Sequence, residues 1–138
     1  MKRFLSTLSA VFISAAALLA DNWKSPLRFD TYNWDFGQIN PLEGTVCHTF
    51  TFTNTSKSAA RINSDIPSCG CISAFYDDNA VEPGESATVM VAYSPSKDKG
   101  KSYRRIELLD RDGNTLASLS VEADVIEADE NAEISYPY

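Results

Sequence analysis

From Val46 to Thr53 the chain alternates strictly: Val46, His48, Phe50 and Phe52 fall on one side of an extended segment, Cys47, Thr49, Thr51 and Thr53 on the other. A period of two is the mark of a half-buried strand, and it assigns the aromatic side to a core and the threonine side to solvent. Residues 88–93 repeat the pattern with Val89, Val91 and Tyr93 on one side, and residues 116–123 carry a looser version. Shorter extended runs are predicted over 27–30, 34–39, 60–66, 72–76 and 103–109. These runs give seven or eight short strands.

The separators explain why the strands stop. Pro83-Gly84 suits a type II turn, with Pro presetting φ at the second position and Gly supplying positive φ at the third. Asp112-Gly113-Asn114 joins two alternating runs as a tight hairpin. Asn40-Pro41-Leu42-Glu43-Gly44 and Asn54-Thr55-Ser56-Lys57 are further turns, the second closed by Asn or Ser side chains bonding nearby amides. A longer polar loop occupies 94–100. No segment after residue 20 carries a helical stripe, so the expectation is an all-β, immunoglobulin-like sandwich of antiparallel strands.

The first twenty residues belong to a different class. Lys2 and Arg3 precede an uncharged stretch from Phe4 to Ala20, rich in Ala and Leu and ending on a small residue before Asp21. This is the pattern of a cleaved secretory signal peptide over residues 1–20, too diluted by serine and threonine for a membrane anchor. Its removal takes away two basic and no acidic side chains, so the net charge moves from −7 to −9. Such an acidic domain argues against nucleic-acid binding, since its basic residues are scattered. At the other end, residues 127–138 read as an acidic, flexible tail.

Several motifs together carry a family resemblance. Trp34-Asp35-Phe36-Gly37-Gln38-Ile39, His48-Thr49-Phe50-Thr51-Phe52-Thr53-Asn54-Thr55, Ser68-Cys69-Gly70-Cys71, Glu82-Pro83-Gly84-Glu85-Ser86 and Gly100-Lys101 follow one another in order. In this order and spacing the chain resembles the bacterial domain-of-unknown-function 1573 (DUF1573) family over about residues 29–126. The Cys-Gly-Cys beside a Pro-Gly-Glu turn is the most specific element. The resemblance implies a fold similar to hydin-like and major-sperm-protein-like immunoglobulin domains, within an expected domain of residues 27–126, and export by a Gram-negative cell. It implies no enzymatic activity. The chain departs from the family pattern at Ile72, where threonine is usual, at Ser56, where glycine is usual, and in the additional thiol of Cys47 beside His48.

Cys47, Cys69 and Cys71 are the candidates for chemistry. If Phe52 faced Ile62 across the turn at Lys57, the same register would bring Cys47 beside Pro67; if the chain crosses between sheets, both still lie at one end of the sandwich. In an oxidising compartment near thiols form disulfides, and a Cys47–Cys69 pair avoids the small ring of a Cys69–Cys71 bridge. Three readings remain open: a disulfide or packed thiols, a thiol-exchange role, and a Zn or Cu site drawn from Cys47, His48, Cys69 and Cys71. Against the metal site, C-x-C is a weak signal and His48 should point away from Cys47. His48 itself reads as a residue near the core, because no serine or cysteine stands on a nucleophile elbow. The carboxylate pairs Asp77-Asp78, Asp110 with Asp112, and Glu82 with Glu85 lie in turns and face water. Trp23, Tyr32 and Trp34 read as core or edge packing, or as an aromatic binding platform.

The expected function is therefore an exported, non-catalytic binding or structural module without a cofactor, whose partner is another envelope or extracellular protein. A metal-binding or thiol-handling protein built on Cys-Gly-Cys is the alternative.

Overall fold

The computed structural model describes residues 23–127. The signal segment 1–20 and nearly all of the acidic tail expected from 127 onward lie outside the described residues. Eight strands form: β1 (Leu27–Phe29), β2 (Asn33–Ile39), β3 (Val46–Asn54), β4 (Ser64–Pro67), β5 (Ile72–Tyr76), β6 (Ser86–Tyr93), β7 (Gly100–Leu109) and β8 (Thr115–Val125). They stack as two four-stranded sheets, in the orders β1-β3-β6-β5 and β2-β8-β7-β4. This is the expected immunoglobulin-like sandwich.

Alternation places the core as the sequence implies. Phe50 and Phe52 of β3 and Val89, Val91 and Tyr93 of β6 are buried, and Ile106 and Leu108 of β7 with Leu119, Val121, Ala123 and Val125 of β8 meet them from the other sheet. Phe52 is locked between strands, aligned with Phe29 and Ala87, its ring 5.1 Å from that of Phe29.

Three features were not legible in the alternation. First, β1 and β2 are two arms of one extended segment that changes sheets. β1 lies antiparallel on β3, and after Asp30–Tyr32 the chain reaches the other sheet, where β2 runs parallel to β8. Tyr32 fixes the crossing, because its hydroxyl accepts from Phe29 N at 3.2 Å and its carbonyl accepts from Ser120 N at 2.8 Å. Second, β2 bulges between Asp35 and Gln38, where Gly37 adopts φ 74°, a conformation open chiefly to glycine. Third, the strand expected over 60–66 is corrected to Ser64–Pro67. Ala60 makes only an isolated bridge to Val81, and Ile62 is spent on crossing between sheets, its side chain buried.

Asn54 holds that crossing. It is fully buried, and its Nδ2 donates to the carbonyls of Ser58 and Val81, each at 2.8 Å. Its Oδ1 accepts from Ser56 N at 2.9 Å and from Ser56 Oγ at 2.7 Å. Asn54→Ala removes these four side-chain hydrogen bonds from a buried position, so a loss of about 3 kcal/mol is expected from their summed net contribution. Urea denaturation measures it, with the exposed Thr49→Ala as a control expected to change stability by less than about 0.5 kcal/mol.

Candidate functional site

The Cys-Gly-Cys corner lies where β4 hands over to β5. Ser68 N donates to the carbonyl of Arg105 at 2.8 Å, and Arg105 N donates back to Ser68 Oγ at 3.0 Å, anchoring the entry. The exit is held by Ser94 N on the carbonyl of Cys71 at 2.8 Å and by Ile72 aligned on Tyr93. Between these anchors the sulfurs of Cys69 and Cys71 stand in bonding contact, with Cα atoms 5.2 Å apart. Cys71 N also donates to Cys69 Sγ at 3.2 Å.

The sulfur pair lines an open groove of about 450 Å³ together with Gly70, Ser94, Ser96, Lys97 and Asp98. Asp98 is committed elsewhere: it receives Arg104 Nη2 at 2.5 Å and the hydroxyl of Tyr93. Burial, and then the hydrogen bond to Asp98, raise the Tyr93 pKa. Tyr76 is pushed up to about 12 in the same way, by burial and by its hydrogen bond to Asp65, which ties β5 to β4.

Cys47 does not join this corner, so the expected Cys47–Cys69 pairing is corrected. Phe52 does not face Ile62; the chain crosses between sheets, and Cys47 aligns with Ala92 of β6, whose other neighbour is Ser73 of β5. A whole strand therefore separates Cys47 from the Cys71 end of β5. Two strand spacings amount to roughly 10 Å, beyond the Cα separation a disulfide bridges. Cys47 is exposed and unpaired.

His48 points to the opposite side, as alternation requires. Its ring stacks on Trp34 with centroids 3.9 Å apart and planes 7° from parallel, and it meets Phe50 edge-on at 4.8 Å. This stack closes the flank of the sandwich between β2 and β3. Trp34 remains 41% exposed, and Trp23 and Tyr32 are exposed as well. Cys47, His48 and the Cys69–Cys71 pair thus occupy three separate places, and among the described residues no group of three or more His, Cys, Asp or Glu side chains comes together for a metal ion. Asp110 caps its hairpin, accepting from Asp112 N at 2.9 Å and Asn114 N at 2.8 Å.

The two outer faces of the sandwich differ in a way that the sequence pattern did not reveal. On the β2-β8-β7-β4 sheet, Asp35, Lys101, Arg105, Glu107, Glu122 and Asp124 line the outward rows. On the β1-β3-β6-β5 sheet the outward rows are Cys47–Ala92–Ser73, Thr49–Met90–Phe75, Thr51–Thr88 and Thr53–Ser86. Charge on that face lies at its edge, where Arg28 stands beside Thr53 and Asp30 follows beside Thr51. Phe75 and Met90, in register at the centre, are 55% and 37% exposed.

A two-sheet sandwich with a strand that changes sheets defines an immunoglobulin-like domain of the PapD and major-sperm-protein type. The chain belongs to the DUF1573 family, described as protein of unknown function, which it matches over residues 27–125. Among curated proteins no sequence match was found. Solved structures similar to it include a protein of unknown function from Porphyromonas gingivalis W83, at TM-score 0.60 and 16% identity, covering 77% of this chain and 51% of that one. The VesB protease of Vibrio cholerae matches at TM-score 0.57 and 22% identity, over 72% of this chain and 32% of its own. The PapD-like domain 7 of human CEP192 matches at TM-score 0.56 and 13% identity, over 89% and 99%. The chain thus spans about a third of the VesB protease and half of the P. gingivalis protein. At these identities the likeness is one of fold.

His48 makes stability depend on pH. Burial lowers its pKa below 6.5, so between the folded and unfolded values the unfolded chain binds the proton first. Its contribution is therefore complete above pH 6.5 and is lost as pH falls through the folded value. Melting temperature of His48→Gln should fall less than that of the parent between pH 7.5 and pH 5, as followed by circular dichroism.

Proposed function

We propose that this protein is an exported, non-catalytic binding module, and that it meets another envelope or extracellular protein through the outer face of the β1-β3-β6-β5 sheet. The observation that carries the reading is the composition of that face: ten neighbouring strand positions without a charge, centred on exposed Phe75 and Met90. An acidic protein has abundant carboxylates for its surface, and its other sheet uses them. Contiguous exposed apolar surface rimmed by polar side chains marks an interaction site. Hydroxyl-bearing threonines around an apolar centre resemble the polar rim and apolar core of a protein interface. The immunoglobulin-like scaffold, seen also in the PapD-like domain of CEP192, supports such recognition by analogy of fold.

Two measurements test this. Phe75→Glu and Met90→Lys each place an unpaired charge in the contact, and a loss of at least about thirtyfold in affinity for a partner purified from the envelope is expected, equivalent to about 2 kcal/mol. Tyr103→Glu, on the charged sheet, should leave affinity unchanged; the reverse outcome removes the assignment.

Export follows from the signal pattern of residues 1–20. Sequencing of the protein from the periplasm or medium should give a chain beginning at Asp21 or within a few residues. Intact Met1 on protein held in the inner membrane would contradict export by cleavage.

A further inference from the structure

Beyond binding, we propose that Cys69 and Cys71 are a reversible thiol–disulfide couple that exchanges electrons with cysteine pairs of other exported proteins. Cys69 is the thiol that bonds to the partner, and Cys71 the one that resolves the bond.

Four observations support this. The pair sits on an open groove rather than within the core, and at Gly70 a Cβ would meet nothing within 4 Å, so an approaching chain finds no obstacle there. The Cys71 N–H already points at Cys69 Sγ, at 3.2 Å, and Lys97 lines the same groove; an N–H donor and an ammonium both favour thiolate over thiol. The opposing carboxylate in the groove, Asp98, is neutralised by Arg104 and bonded by Tyr93. Lastly, a bridge separated by two positions in sequence closes so short a loop that it constrains the unfolded chain little. The backbone bonds of Ser68 and Ser94 hold the corner without it.

In the exchange, a thiolate of a partner dithiol attacks Cys69 Sγ. The Cys69–Cys71 bond breaks, and Cys71 leaves as a thiolate that takes up a proton. The partner's second thiolate then attacks its own sulfur in the mixed disulfide, releasing Cys69 as the stabilised thiolate. The partner has lost two electrons and become a disulfide; the two electrons reside on Cys69 and Cys71. With a disulfide partner the same steps run in reverse.

The test uses the mature protein carrying Cys47→Ser, so that every thiol signal comes from the pair. Incubation in mixtures of reduced and oxidised glutathione, followed by alkylation and mass spectrometry, should show the pair passing from disulfide to dithiol across the series while circular dichroism stays constant. A pair that stays in one state throughout overturns the proposal. In Cys71→Ser protein, Cys69 should react with iodoacetamide with a midpoint at least one pH unit below the ~8.5 of an ordinary thiol, and Lys97→Met should move it upward. That protein should also retain glutathione on Cys69 from glutathione disulfide, whereas Cys69→Ser should retain less on Cys71. Equal reactivity of the two thiols removes the assigned roles. Phe75→Glu should leave all these readings unchanged, which separates failure here from failure of the binding face.

Discussion

Asn54 has no exposed surface, and six hydrogen bonds meet on it. Its backbone N–H donates to Glu85, its carbonyl accepts from Gly84, and its side chain takes in Ser56, Ser58 and Val81. One residue thus joins the end of β3, the turn before β6 and the crossover toward β4. A buried amide is tolerated in an apolar sandwich only when its donors and acceptors are met, and here Ser56 and Ser58 of the chain leaving β3 and Val81 of the segment before β6 supply them. The crossover is then held, Ile62 packs into the core, and β4 arrives at its place beside β7.

That geometry positions the Cys-Gly-Cys corner. β4 lies in one sheet and β5 in the other, so the residues linking them must span the end of the sandwich, where side chains are half buried and a groove remains. Backbone bonds to Arg105 on one side and Ser94 on the other fix both approaches. The sulfur chemistry is therefore carried by a firm frame at the mouth of the core. The outer face of the β1-β3-β6-β5 sheet, centred on Phe75 and Met90, belongs to other residues.

Cys47 illustrates how topology overrides proximity in sequence pattern. Reading β3 and the following segment as a hairpin would have placed it near Pro67. The chain instead passes to the other sheet after Asn54, and β6 fills the space beside β3. His48, adjacent in sequence, turns inward to stack on Trp34, because alternation sends neighbouring side chains to opposite faces. These two side chains and the Cys69–Cys71 pair therefore stand in three separate places.

The sequence by itself determined most of the strands, though not the bounds of β4, together with the core faces of β3, β6 and β8 and the turns at Pro83-Gly84 and Asp112-Gly113, because these rest on period-two alternation and on local dihedral preference; its ordered motifs gave the family. The closing role of an Asn or Ser in the 54–57 turn was legible for the same reason. Which sulfurs meet, where the segment 27–39 changes sheets, and that β2 runs parallel to β8 were decided only by tertiary structure. So was the contrast between an outer face charged across its rows and one charged only at its β1 edge, since each row gathers residues from strands far apart in the chain. Alternation tells which side of a strand faces water; only strand order tells which residues stand beside one another on that side.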